Sequence, residues 1–164
     1  MYGDATPLLP EQQKNFKGLN YFAPNPDYLV EATLVKAVKQ EDVIMKTSGD
    51  RTPVYVRYGV VMFMLKGKPY TLAVFQNKKM LELSQDTSSL FIPFRDETCG
   101  KESYGGGRYL DCEIPTSGDK VMIDFNKAYN PYCAYNPNYS CVIPPEENRL
   151  AVRIEAGEKV FEKN

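Results

Sequence analysis

Histidine and tryptophan are absent from this chain of 164 residues. Without His, a Ser-His-Asp triad, a Cys-His nucleophile pair, a His general base and a His-ligated metal site are all excluded within the chain. Long apolar runs are missing too: none approaches the roughly 18 residues that a membrane-spanning helix requires. Nor is there a charge excess, since 20 basic residues face 21 acidic ones for a net charge of −1. That balance points away from a nucleic-acid or anionic-membrane partner. The start, Met1-Tyr2-Gly3-Asp4-Ala5-Thr6-Pro7, has neither the basic nor the apolar region of a signal peptide. It fits a cytoplasmic protein, or a mature exported chain supplied with a start Met. What is present is 43% hydrophobic and 25% charged residues in 18.6 kDa, enough for one hydrophobic core and a single domain over residues 1–164.

Pro7, Pro10, Pro24 and Pro26 limit residues 1–26 to one short helix at most, with Glu11–Phe16 the candidate. The stretch reads as an extended arm packed on the domain and anchored by Phe16, Leu19, Tyr21 and Phe22. From Tyr28 onward the pattern is β-like, first over Leu29–Val38 and again over Asp42–Lys46. Val54–Leu65 and Tyr70–Phe75 flank Lys66-Gly67-Lys68-Pro69 and read as an antiparallel hairpin. Further short strands are expected at Leu90–Ile92, Arg108–Asp111, Val121–Phe125, Leu150–Glu155 and Glu158–Phe161. In the Leu150 run, apolar Leu150, Val152 and Ile154 alternate with other residues, the mark of one buried face. The expected fold is all-β: an antiparallel β-sandwich or partly open barrel with long ordered loops and at most short helices.

The unusual residues are concentrated. Six of the twelve tyrosines lie between Tyr104 and Tyr139, and all four cysteines between Cys99 and Cys141. Asn126–Asn148 carries five Asn, four Tyr and four Pro with only Lys127, Glu146 and Glu147 charged. It contains a short duplication, Ala128-Tyr129-Asn130-Pro131-Tyr132-Cys133 followed by Ala134-Tyr135-Asn136-Pro137. Asn-Pro initiates turns, because Asn bonds its own backbone and Pro presets φ. A 23-residue stretch with no strand or helix pattern is uncommon inside a compact domain and is often functional. Its amides and phenols suit recognition of a small polar molecule; equally, they suit tyrosines plugging one end of a barrel while Asn side chains satisfy turn backbone.

Thr98–Arg108 holds three consecutive glycines, Gly105-Gly106-Gly107, between Lys101 and Arg108. Glycine admits close backbone approach to a ligand and the cations would hold an anion, although a mobile hairpin tip would need the same glycines. Phosphate fingerprints fail: Glu102 follows Gly100-Lys101 where Ser or Thr is needed, and Leu110 stands where a dinucleotide fold needs Gly or Ala. Glu102, buried against Arg108, would be an orienting partner or a base. Four cysteines fit two disulfides in an oxidising compartment or four reduced thiols. Cys99 and Cys112 are thirteen positions apart and Cys133 and Cys141 eight; a disulfide across either loop would add roughly 3 kcal/mol. Neither spacing matches a four-Cys zinc site. A nucleophilic Cys133 would need its thiolate stabilised without His.

The run Leu90-Phe91-Ile92-Pro93-Phe94-Arg95-Asp96, the stretch Glu102–Asp111, the stretch Asp124–Pro137 and Cys141–Asn148 together resemble the bacterial family catalogued as domain of unknown function 1684. Thr6-Pro7-Leu8, Phe16-Lys17-Gly18-Leu19 and Tyr21-Phe22 are similar to its N-terminal portion, so the resemblance covers nearly the whole chain. It implies no activity. Members from Bacteroidetes often carry a signal peptide ahead of the Thr-Pro-Leu region, which implies an extracytoplasmic chain, periplasmic or secreted, with the peptide removed; other members look cytoplasmic. In the family pattern Cys133 and Cys141 are characteristic whereas Cys99 and Cys112 are additional, which implies disulfides 99–112 and 133–141. If cytoplasmic relatives carry Cys133 and Cys141, that pair is more than a disulfide.

The leading expectation is a pocket formed by Glu102, Tyr104, Arg108, Asn126, Asn130, Tyr135 and Asn148 that binds a small polar or anionic ligand, with no cofactor and no metal. The alternatives are a His-independent hydrolase or thiol-dependent enzyme using Glu102 or Cys133, and a structural or interaction domain. Oligomeric state is not readable from the sequence.

Overall fold

The computed structural model describes residues 7–15, 18–85 and 87–161; Phe16, expected as an anchor, and Thr6 and Lys17 lie outside them. A short helix α1 (Pro10–Asn15) precedes strand β1 (Leu29–Ile44). Then come β2 (Val54–Leu65), β3 (Lys68–Asn77), helix α2 (Lys78–Glu82), β4 (Ser89–Phe94), β5 (Arg108–Glu113) and β6 (Lys120–Asp124). They form one antiparallel sheet in the order β5-β4-β3-β2-β1-β6. Its edge strands β5 and β6 curl round to lie beside each other without pairing. The result is a partly open barrel, the second of the two expected forms.

The hairpin between β2 and β3 turns on Lys66 and Gly67 alone. Both have positive φ, 52° and 78°, as the tight two-residue connection demands. Leu65 therefore pairs with Lys68, and the strand absorbs Pro69, at an end where β3 has β2 as its only partner. The two runs expected at Leu29–Val38 and Asp42–Lys46 are one strand, with an irregularity between Lys36 and Glu41 where the register to β2 shifts.

Alternation sorts the side chains onto two faces. Val61, Phe63, Leu65, Leu72, Val74, Leu90, Ile92, Phe94, Leu110 and Ile123 point inward and fill the barrel. Ala73, Phe75, Phe91 and Tyr109, one position out of phase, point outward, yet they pack with Met45 and Val142 into a second cluster. A sheet face that stays apolar on its outer side must be covered, and the cover is the Asn126–Asn148 segment. It is pinned there by paired backbone bonds between Tyr109 and Tyr129 (2.8 and 3.0 Å) and by a short ladder of residues 46–48 with 141–143. The Asn-Pro turns thus lie on the barrel wall.

The last expected strands, Leu150–Glu155 and Glu158–Phe161, do not form. Leu150 and Ile154 are buried as their alternation implies, but their backbone is bonded elsewhere. The Leu150 amide donates to the Arg95 carbonyl (2.8 Å), the Ile154 amide to Asp96 Oδ2 (2.7 Å), and three carbonyls further along accept from the Arg108 side chain. Alternation there marks burial without a strand ladder. The arm follows the same segment: Phe22 N donates to Gly157 O (2.9 Å) and Lys159 N to Asn20 O (2.8 Å), while Tyr21, expected as an anchor, is exposed.

Candidate functional site

The expected pocket residues are not gathered round one cavity. Arg108 begins β5 opposite Phe94, with its side chain turned into the end of the barrel and fully buried. Its guanidinium donates to the carbonyls of Ile154 (2.9 Å), Ala156 and Glu158 (3.1 Å), contacts Asp96 Oδ1 (3.4 Å), and lies over the rings of Phe94 and Phe22. Burial pulls its pKa down and the facing Asp96 opposes that. Asp96 Oδ2 in turn accepts from Thr98 N, Thr98 Oγ1 and Ile154 N, and Thr98 Oγ1 bonds Ser103 Oγ at 2.7 Å. Beside this lies Glu158, whose carboxylate accepts from Asn130 N (2.9 Å), Asn130 Nδ2 (3.1 Å) and the Tyr135 hydroxyl. Burial raises the Glu158 pKa against the pull of those donors and of Arg108. Arg108, Asn130 and Tyr135 are therefore parts of a buried polar plug that ties the C-terminal segment to the barrel end.

The remaining four are dispersed. Asn148 is inserted between β3 and β4, which pair directly only at Phe75 and Phe91. Its side chain replaces the missing ladder, accepting from Ala73 N (2.7 Å) and donating to Ala73 O (2.9 Å) and Pro93 O (2.8 Å). Asn126 exchanges bonds with the Asn25 backbone, both 2.9 Å, and holds the arm. Glu102 does not meet Arg108; its side chain is 41% exposed and ion-paired with Arg153 at 2.7 Å, which holds its carboxyl below the usual range. Tyr104 reaches Cys133 Sγ at 3.5 Å. The glycine cluster serves these packings: a Cβ on Gly106 would stand 2.3 Å from the Tyr104 ring, and Gly107, at φ 93°, would meet Phe94 O at 2.7 Å. The space that Gly106 and Gly107 leave is filled by protein.

A cleft of about 840 Å³ opens where the Asn-Pro segment arches over the outer face of the sheet. Phe91 and Tyr109 form its floor with ring centroids 4.8 Å apart, Tyr55 stacks on Phe91 at 5.5 Å, and Tyr129 meets Tyr109 edge-on at 5.8 Å. Tyr132 and Tyr139, edge to face at 5.2 Å, form part of its wall. Gly49, Asp50 and Arg51 from the β1–β2 loop, whose Arg51 amide donates to Ser140 Oγ at 3.4 Å, also line it, and Ser140 and Cys141 complete the lining. Arg51 is exposed and makes no ion pair among the described residues. The Tyr109 hydroxyl is occupied by Val142 O (2.6 Å) and that of Tyr129 by Asp111 (2.7 Å), so these two rings are rigidly presented. Asn130 also lines the cleft and is the one expected pocket residue that does.

All four cysteines are free thiols. A 99–112 disulfide is excluded by geometry: Cys112 pairs with Leu90 near one end of β4 and β5, whereas Cys99 packs on Asp96 beyond the other end, a separation of a strand length against the 4.4–6.8 Å between Cα atoms that a disulfide needs. Cys133 and Cys141 are adjacent, the Cys133 amide donating to Cys141 Sγ at 3.1 Å.

The model of the family described as protein of unknown function, DUF1684, matches residues 14–159. The chain belongs to the DUF1684 family. The solution NMR structure of the uncharacterized protein from gene locus rrnAC0354 of Haloarcula marismortui is similar to it, with 39% identity over 96% of this chain and 85% of the other and a TM-score of 0.76. No curated protein matches the chain.

In this DUF1684 chain the sequence reading missed Asp96 and Glu158, which organise the plug, and Arg51, Tyr55, Phe91, Tyr132 and Tyr139, which build the cleft. One signal for the cleft was there. Phe91 and Tyr109 each alternate with inward-facing residues, so large aromatics were destined for an outer face that needed a cover. Nothing in its neighbourhood singles out Arg51.

Proposed function

We propose that the cleft binds a small polar or anionic molecule, with a ring or planar face against the tyrosines and a charged group toward Arg51. The observation that carries this reading is the convergence of six aromatic rings and a guanidinium with no ion pair among the described residues on one open space of about 840 Å³, within the ordinary size range of small-molecule sites. Rings offer large contact area at little conformational cost, and a planar guanidinium is matched to carboxylate or phosphate. Glu102 favours the binding reading over a hydrolytic one, because its carboxylate is tied to Arg153, which holds its pKa down.

Thermal-shift and ligand-observed NMR screening with sugars, nucleotides and carboxylates tests it. Tyr132→Ala is expected to abolish responses of every class and Arg51→Ala those of the anionic compounds. A panel with no response, or responses that survive both substitutions, would overturn the reading.

A further inference from the structure

Among the described residues, Cys133 and Cys141 form a reactive pair at the cleft wall whose chemistry neither the cleft nor the plug calls on, although Cys141 is part of the cleft lining. Cys133 sits on the single-turn 3-10 segment Tyr132–Ala134, while Cys141 is fixed by two backbone links to Ser48, its carbonyl accepting from Ser48 N (2.9 Å) and its amide donating to Ser48 Oγ (3.1 Å). Both are partly exposed. Around the Cys133 sulfur converge the Cys141 thiol and the hydroxyls of Tyr104 and Ser48. The Cys141 thiol and the Tyr104 hydroxyl can each donate to that sulfur, which suits an anion there. We propose that Cys133 and Cys141 form a thiol–disulfide exchange centre, with Cys133 the attacking sulfur, Cys141 the resolving one and a small-molecule disulfide the oxidant.

The Cys133 thiolate attacks one sulfur of R–S–S–R, the Cys133–S–S–R bond forms, and R–S⁻ leaves with the electron pair and takes a proton from solvent. Cys141 then loses its proton, attacks the Cys133 sulfur and expels the second R–S⁻. Two protein thiols are oxidised to one disulfide and one R–S–S–R is reduced to two R–SH.

The surroundings favour this division of roles. Hydrogen bonds from Cys141, Tyr104 and Ser48 lower the Cys133 thiol to about 6, overcoming its partial burial. Cys141 is raised, chiefly because its proton is held by Cys133. Once Cys133 is a mixed disulfide that hold is gone, leaving burial to be offset by the Cys133 amide and the nearby Arg51 charge, both of which favour the Cys141 thiolate. Cys99 and Cys112 are internal controls: burial raises both, Cys112 to about 12. The centre is read on the protein alone and does not depend on what the cleft binds.

The test uses the full, reduced chain with oxidised glutathione at pH 7, followed by intact mass and peptide mapping. Wild type should lose two thiols to a 133–141 disulfide that excess reduced glutathione reopens. Cys141→Ser should stop at one glutathione on Cys133, and Cys133→Ser should leave Cys141 unmodified over the same interval. Should either variant fail to fold, iodoacetamide labelling of wild type decides: Cys133 should react more than ~100-fold faster than Cys112 at pH 7, its rate levelling off above a midpoint near 6. Equal labelling of all four cysteines overturns the proposal, as does a 133–141 disulfide that excess thiol cannot reopen, which would be a structural staple.

Discussion

The plug at the barrel end and the cleft on its outer wall are built from the same residue types and do opposite things with them. In the plug the charged groups are turned on the protein: Arg108, with three carbonyls and Asp96, and Glu158, with Asn130 and Tyr135, are sealed from water. In the cleft, tyrosine rings and Arg51 are turned on a space. Tyr135 and Tyr132 stand three positions apart in the same Asn-Pro segment, one bonded to a buried carboxylate and the other on the cleft wall. Residue type alone therefore does not separate a structural polar residue from a binding one; the neighbours that consume its hydrogen bonds do.

The contrast breaks first at Arg108. Arg108→Met leaves Asp96 buried without its cation and three carbonyls without a donor, and urea unfolding should show a loss of about 3–5 kcal/mol, or no folded protein. A loss under ~1 kcal/mol would mean the plug is not structural. Asn148→Ala strands Ala73 N, Ala73 O and Pro93 O between two strands that scarcely pair, and should cost about 2–3 kcal/mol by the same measurement.

How much of this was legible follows from the same physics. The hairpin, the all-β class and the position of the odd segment were readable because turn chemistry and alternation are local. The C-terminal strands were misread, since alternation records which side chains are buried and is silent about which group takes the backbone bonds. Arg108 stood out by its place beside the glycines, yet its role depends on Asp96 and on carbonyls 46 to 50 positions away. No spacing rule reaches that far. The cleft joins the 49–51 loop to the 137–142 turn, and that juxtaposition too exists only in the fold.

Glu158 sharpens the contrast through pH. Its pKa is raised by burial in the native state, so the native state keeps a proton that the unfolded state has released. Stability should therefore fall as pH rises through the ordinary glutamate range, and level off above the native pKa. Glu158→Gln removes this titration; the difference in unfolding free energy, wild type minus variant, should decline with rising pH over that window. A difference independent of pH would place the carboxylate in water. The smallest effects on stability belong to the cleft: Tyr139→Ala should cost about 1 kcal/mol through its lost edge-to-face partner Tyr132, and Arg51→Ala less than ~0.5 kcal/mol, while both weaken binding.

The central division is tested most directly by following ring-labelled tyrosines by NMR while the sugars, nucleotides and carboxylates are titrated. Tyr55, Tyr129, Tyr132 and Tyr139 should shift together with a compound that binds, and Tyr135 and Tyr28, sealed inside, should stay in place. Shifts led by Tyr135, or a compound that binds without moving any cleft ring, would contradict the account.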